Sequence, residues 1–180
     1  MKIAIILFLA FNLYADIKQN MFNLYQNEKF EDVCKLGFNN LRSNNKDEEF
    51  VSLYAFACLN SDYIDRLAIP IALLKSTSED RANSAYFSVI LMQKKLLYHA
   101  LVDKYDLSTL VLPTTDYVLS KVFNLYSKLE THEPRLFYLF DDPNDKKLSY
   151  KLYIIKDGKL QKMVIEEFYD TVNIKRHIYW

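Results

Sequence analysis

Glycine is nearly absent from this chain: Gly37 and Gly158 are the two among 180 residues. A phosphate-cradling loop or a dinucleotide fingerprint needs several glycines in one turn, so both are excluded. The same scarcity disfavours a turn-rich all-β fold. Charge of one sign is lacking too, since 23 Lys and Arg face 23 Asp and Glu. A nucleic-acid partner asks for a basic surface that displaces counterions, so no nucleic acid is expected. After the N-terminus no long apolar run remains. The most apolar stretch, 85–102, is broken by Gln93, Lys94 and Lys95, and charges at the centre of a span are costly in hydrocarbon. No membrane span is expected there. What the chain does have is apolar mass: 51% hydrophobic residues are enough for a packed core and rule out disorder.

The first residues read as an export signal. Lys2 supplies a positive end, Ile3 to Phe11 is uninterruptedly apolar, and Leu13-Tyr14-Ala15 places a small residue before Asp16. A charged start, a short apolar run and a small residue at the cut define a secretory signal, here residues 1–15 with cleavage after Ala15. The alternative is a short buried first helix, since the run is too short to cross a bilayer. No cysteine stands at the cut, which disfavours a lipid anchor. Frequent Asn, Lys, Ile, Tyr and Phe with few Gly, Pro and Trp fit an AT-rich bacterial genome. The expected compartment is then the periplasm. Cys34 and Cys58 both follow the signal, and an oxidising compartment permits a bridge between them. Two buried free thiols are the other reading, because pairing geometry is not legible in a sequence.

From residue 16 to 130 the apolar residues recur at helical spacing. Ile17, Met21, Leu24 and Tyr25 form one stripe, and Phe30, Val33, Cys34, Phe38 and Leu41 a second. Asp47 is placed to cap a third helix carrying Phe50, Leu53, Tyr54, Ala57 and Cys58. A fourth, from Tyr63 to Leu74, contains Pro70, which removes a backbone donor and predicts a kink. Ser76-Thr77-Ser78-Glu79 resembles a capping box before a long fifth helix over about 80–104. A sixth carries Val118, Val122, Leu125 and Leu129. After Pro134 the period changes to alternation. Arg135 to Phe140 is a short apolar run, and Leu148, Tyr150, Leu152 and Ile154 line one strand face. Asp157-Gly158 is a two-residue hairpin turn before Leu160 to Ile165. Val172, Ile174 and Ile178 form a last strand. The expected architecture is mainly α, about six helices over 16–130, followed by a small C-terminal antiparallel sheet over 131–180.

The first helices repeat. Phe30 and Tyr63 each follow a short polar turn, 33 residues apart, and Leu41 and Leu74 keep the same spacing. The stretch Leu24-Tyr25-Gln26-Asn27-Glu28-Lys29-Phe30-Glu31-Asp32-Val33, and again Asn60-Ser61-Asp62-Tyr63-Ile64-Asp65, resembles the inter-helix turn of tetratricopeptide repeats, whose period is about 34 residues. A plain helical bundle with two similar hairpins is the alternative. Met21, Val33, Tyr54 and Arg66 stand where that family usually keeps small residues, which predicts either wider helix packing or degenerate repeats. The resemblance implies a stacked scaffold whose concave surface holds a peptide or protein. On that reading Tyr54, Tyr63, Tyr86, Phe87 and Tyr98 are groove candidates, each with a core position as its alternative. Trp180, the single tryptophan, is an anchor candidate or docks on its own sheet. A free sheet edge is a further route to a partner strand or a homo-oligomer.

Catalytic patterns are sparse. His99 and Asp103 share a helix face, His132 sits beside Glu133, and His177 beside Arg176. No histidine or cysteine pair has metal-ligand spacing, and Asp141, Asp142, Asn144 and Asp145 lack the spacing, glycine and distal Glu of a calcium loop. No serine sits in a nucleophile elbow. No metal, cofactor or catalytic residue is expected. The functional expectation is a non-catalytic periplasmic protein–protein interaction scaffold of an envelope assembly. Small periplasmic proteins with similar repeats serve around the flagellar motor of AT-rich bacteria, which extends the expectation to such a role. The competing class is a periplasmic hydrolase or wall-modifying enzyme with an unfamiliar site near His99 or the acidic turn.

Overall fold

A computed structural model describes residues 17–180; the export signal read over residues 1–15 lies outside the described residues. The chain is mainly α and ends in a four-stranded antiparallel sheet. Helix α1 spans 17–26, α2 Phe30–Asn44 and α3 Glu48–Asn60. Asp47 caps α3, its Oδ1 accepting from the Phe50 amide at 3.0 Å.

The turns after α1 and α3 are built alike. Glu28 and Asp62 take left-handed backbone, with φ of 57° and 63°. The Lys29 amide donates to the Leu24 carbonyl at 3.0 Å and the Tyr63 amide to the Cys58 carbonyl at 2.9 Å. A left-handed residue followed by a bond reaching back five positions is the Schellman closure of a helix. Glu28 and Asp62 lie 34 positions apart, one more than the Phe30–Tyr63 spacing. Ile64, not Tyr63, therefore matches Phe30.

The fourth helix differs from its expected form. A 3-10 turn, Ile64–Leu67, leads into a short α4, Ala68–Leu73. Pro70 has no amide hydrogen to bond back to Arg66, so the α-helical ladder does not extend through the preceding turn. The long helix α5 covers Ser78–Asp103. Its capping box is one residue later than Ser76…Glu79. The Thr77 hydroxyl oxygen accepts from the Asp80 amide at 3.0 Å, and Asp80 Oδ2 accepts from the Thr77 amide at 2.9 Å. Helix α6 is Val118–Ser127, ending before Leu129.

Two compact units divide the chain between Ser84 and Ala85. The change from helix to strand comes later, past residue 130. In the first unit α2 and α3 are joined by the Cys34–Cys58 disulfide, with Cα atoms 4.8 Å apart. They also approach closely at Gly37, where a Cβ would stand 2.6 Å from Tyr54 Cδ2 and 2.9 Å from its Cβ. The packing there is tight, not wide as Tyr54 predicts: the small residue is on the partner helix.

In the second unit the strands are β1 Tyr138–Asp141, β2 Leu148–Asp157, β3 Leu160–Tyr169 and β4 Val172–Tyr179, ordered as a meander. β1 starts three residues after Arg135. The register puts Tyr138, Leu152, Ile165 and His177 in one row, with Met163 opposite Tyr179 and Phe140 opposite Tyr150. All of these are buried. Helices cover this face: Tyr98 hydroxyl donates to the Gln161 carbonyl at 2.7 Å, and the Tyr126 and Tyr138 rings meet edge-on at 5.1 Å. The β2–β3 turn is shifted by one residue from Asp157-Gly158. Asp157 pairs with Leu160, so Gly158 and Lys159 form the loop, and Gly158 has φ of +60°. Glycine at the first loop position suits a type II′ turn. The β3–β4 loop is Asp170-Thr171, both with positive φ (48° and 74°). Among the described residues no helix is long and apolar enough to cross a membrane.

Candidate partner-binding surfaces

The groove candidates separate once burial is known. Tyr54 is fully buried on α3 against Gly37 and presents no surface to a partner. Its hydroxyl has no hydrogen-bond partner among the described residues, and burial pushes its pKa up to about 12 although Arg66 opposes the shift. Phe87 is also fully buried, which removes it from any docking surface. Both take the core positions that aromatics at helical spacing usually occupy. Tyr63 is half-buried. Its hydroxyl donates to Glu31 Oε1 at 2.9 Å, and its ring lies 4.6 Å from the Arg66 guanidinium carbon.

Tyr86 donates to Asp116 Oδ1 at 2.9 Å. Burial, reinforced by Asp116, holds its phenol neutral well above the ordinary range. Tyr98 and Trp180 are brought together by Lys94. That lysine is almost fully buried, its Nζ 2.5 Å from the Trp180 carbonyl and 5.8 Å from the Tyr98 ring centre. Lys94, read in the sequence as an interruption of an apolar stretch, thus ties α5 to the end of β4.

The first unit contains a cleft of about 790 Å³ where α3 and α5 begin, lined in part by Glu48, Glu49, Phe56, Ser76 and Glu79. Four of its carboxylates, Asp47, Glu48, Glu49 and Asp80, serve the fold. Asp47 and Asp80 cap helices. The Glu48 carboxylate accepts from the Ser76 hydroxyl and from the amides of Ser76 (3.0 Å) and Lys75 (3.2 Å). The Ser76 hydroxyl, then its amide, hold the Glu48 pKa at about 2. Glu49 and Asp47 share Lys18 of α1.

The second unit has a two-faced sheet. Opposite the helix-covered face, the register aligns Tyr153, Val164 and Ile178 in one row and Lys151, Glu166 and Arg176 in the next, with Leu139 beside Lys151. The Lys151 ammonium sits 5.0 Å from the Phe137 ring and 5.2 Å from the Tyr153 ring, and Lys162 sits 5.1 Å from the Trp180 ring. Leu139 is 66% exposed and Trp180 51%. This face mixes aromatic and apolar side chains with charged ones: Arg176 lies 3.6 Å from Glu166, Lys162 pairs with Asp157 at 2.6 Å, and the Tyr153 hydroxyl donates to Glu166. Alternation along β2 marked only the opposite face, so Leu139, Lys151 and Tyr153 were missed as neighbours of Ile178; cross-strand register alone groups them.

The ionisable sets are scattered. His99 Nδ1 lies 2.8 Å from Asp103 Oδ2, half exposed, with the His99 ring stacked on Tyr105 at 4.7 Å. His132 bonds the Tyr126 carbonyl at 3.0 Å. His177, by contrast, is buried with its Nε2 2.9 Å from Glu167 Oε1 and its ring stacked on Tyr179. The acidic turn is organised by Asp142. It accepts from the amides of Asn144 (2.8 Å) and Asp145 (3.2 Å) and from the Tyr150 hydroxyl at 2.5 Å. Burial alone raises its pKa, but these donors outweigh burial and leave it lowered. Among the described residues no group of three His, Cys, Asp or Glu side chains is arranged to hold a metal ion. No family model, curated protein or solved structure matches this chain.

Proposed function

We propose that this chain is an exported, non-catalytic scaffold that holds another protein of the bacterial envelope, with the flagellar motor as one such assembly. The observation that carries the reading is the outer sheet face, where Leu139, Tyr153, Ile178 and Trp180 form an apolar and aromatic surface. Leu139 and Trp180 are exposed there and Tyr153 and Ile178 half-buried, and exposed apolar side chains grouped on one face are a mark of protein contact. The partner fits as an apolar segment with an acidic residue, because Lys151 overlies the Phe137 and Tyr153 rings while Lys162 is already paired with Asp157. The repeated Schellman turns 34 residues apart support kinship with tetratricopeptide-like proteins. The disulfide supports residence in an oxidising compartment such as the periplasm.

Photo-crosslinking in cells tests this. A photoreactive residue at Leu139 or at Trp180 is expected to give one adduct of the same mass, and Tyr153→Glu to abolish it. The same probe at Glu79, in the cleft of the first unit, is expected to give none. Adducts from the cleft position alone, or none from the sheet, would reject the sheet as the docking face. N-terminal sequencing of periplasmic material is expected to begin at Asp16.

A further inference from the structure

We propose that the Cys34–Cys58 bridge is a directional thiol-exchange site, in which Arg66 makes Cys34 the leaving sulfur and Cys58 the sulfur that takes an incoming thiol. The geometry is one-sided. Arg66 Nη1 stands 3.3 Å from Cys34 Sγ. Its guanidinium carbon lies 4.7 Å from the Phe38 ring centre and 4.6 Å from that of Tyr63, so two aromatic faces hold it in place. Glu31, a nearby carboxylate, accepts from the Tyr63 hydroxyl and pairs with Lys35 at 2.8 Å, and feels Arg66 only as its weakest neighbouring charge. Among the described residues no cation hydrogen-bonds to Cys58 Sγ.

A guanidinium beside a sulfur favours its thiolate, and the sulfur that is the better thiolate leaves faster in exchange. The attacking group is a thiolate, from a small monothiol or from a cysteine of another protein. Its sulfur bonds to Cys58 Sγ, the bridge breaks, and the bonding pair stays on Cys34 Sγ beside Arg66. A second thiolate then attacks the incoming sulfur. That step releases a disulfide of the two thiols and leaves a Cys58 thiolate, which takes a proton from water. Two thiols are oxidised and one bridge is reduced. Both cysteines are fully buried, so exchange waits for a local opening that admits a thiol to Cys58 while Arg66 stays with Phe38 and Cys34, both on α2. The asymmetry decides which sulfur carries the adduct once opening occurs. This inference concerns the first unit and stands independently of the proposed sheet contact.

The test treats the folded, oxidised protein with limiting glutathione, quenches with acid, alkylates free thiols and maps peptides by mass. Glutathione is expected on Cys58, with Cys34 alkylated, in about tenfold excess over the reverse. Arg66→Met is expected to equalise the two, and Arg66→Lys to keep part of the bias. Adducts divided equally in the natural protein, adducts chiefly on Cys34, or a bias unchanged in Arg66→Met would each overturn the proposal, as would a bridge that takes no adduct at all. Should Arg66→Met fail to fold, alkylation rates of the reduced natural protein against pH decide. Cys34 must react at lower pH than Cys58, and coincident profiles overturn the assignment.

Discussion

The two units of this chain are held together in different ways. The first adds to its buried apolar core two localised features on the α2–α3 contact, a disulfide and a glycine packed against Tyr54. The second distributes its stability over a sheet face on which Tyr138, Phe140, Tyr150, Leu152, Met163, Ile165, His177 and Tyr179 are all buried. In the first unit a covalent link and a close helix approach join points that a single substitution can remove. A meander builds its core row by row, and no single residue dominates. Substitutions should therefore have large, localised effects in the first unit and smaller ones in the second.

The sharpest way to break that contrast is to cut the disulfide. The loop closed by residues 34 and 58 separates them by 24 positions, for which chain entropy predicts a loss of roughly 3 kcal/mol on replacing both cysteines by Ser. Urea unfolding with and without reductant measures it, and reductant should no longer matter in the variant. Gly37→Ala comes next. Helix propensity alone would favour alanine by about 1 kcal/mol. The new Cβ would meet Tyr54 at 2.6 Å, and overpacking of this kind costs about 1–3 kcal/mol. A net loss of stability is expected, and a gain would mean that α2 and α3 are not in contact there.

In the second unit a substitution is expected to stabilise. Thr171 holds a φ of 74° in the β3–β4 loop, a strained conformation for a β-branched residue. Thr171→Gly should raise stability by about 1 kcal/mol, read from the urea midpoint. The smallest effect is on acid stability. Glu48 normally titrates near 4.5 and is held at about 2 when folded. Its contribution is present above pH 4.5 and disappears as pH falls through about 2, because the unfolded chain then binds the proton first. Glu48→Gln should flatten this part of the pH–stability curve, and its solvent exposure keeps the change small.

Much of the helical organisation is legible in the residues. Asp47 reads as a cap because a carboxylate before an apolar stripe has free amides to accept from, and it caps α3. The turn shifts at Thr77 and Gly158 are each one residue, the scale on which local patterns stop discriminating. Pro70 marks an interruption, but whether the chain kinks or tightens depends on what the turn before it packs against. The aromatic candidates were the least legible. Tyr54 and Tyr63 have similar local patterns, yet one is in the core and the other lies at the surface against Arg66. Helical spacing identifies a shared face; it does not say which face meets another helix.

By itself the sequence determined the order of elements, the helix-to-strand change after Pro134 and the absence of glycine-rich chemistry, since these follow from local periodicity and composition. The tertiary structure decided the Cys34–Cys58 pairing, the place of Arg66 beside one sulfur, the burial of Tyr54 and Phe87 and the aromatic outer face of the sheet. Each of these depends on residues distant in the chain meeting in space, and the physics of such meetings is packing and register, which no local pattern encodes.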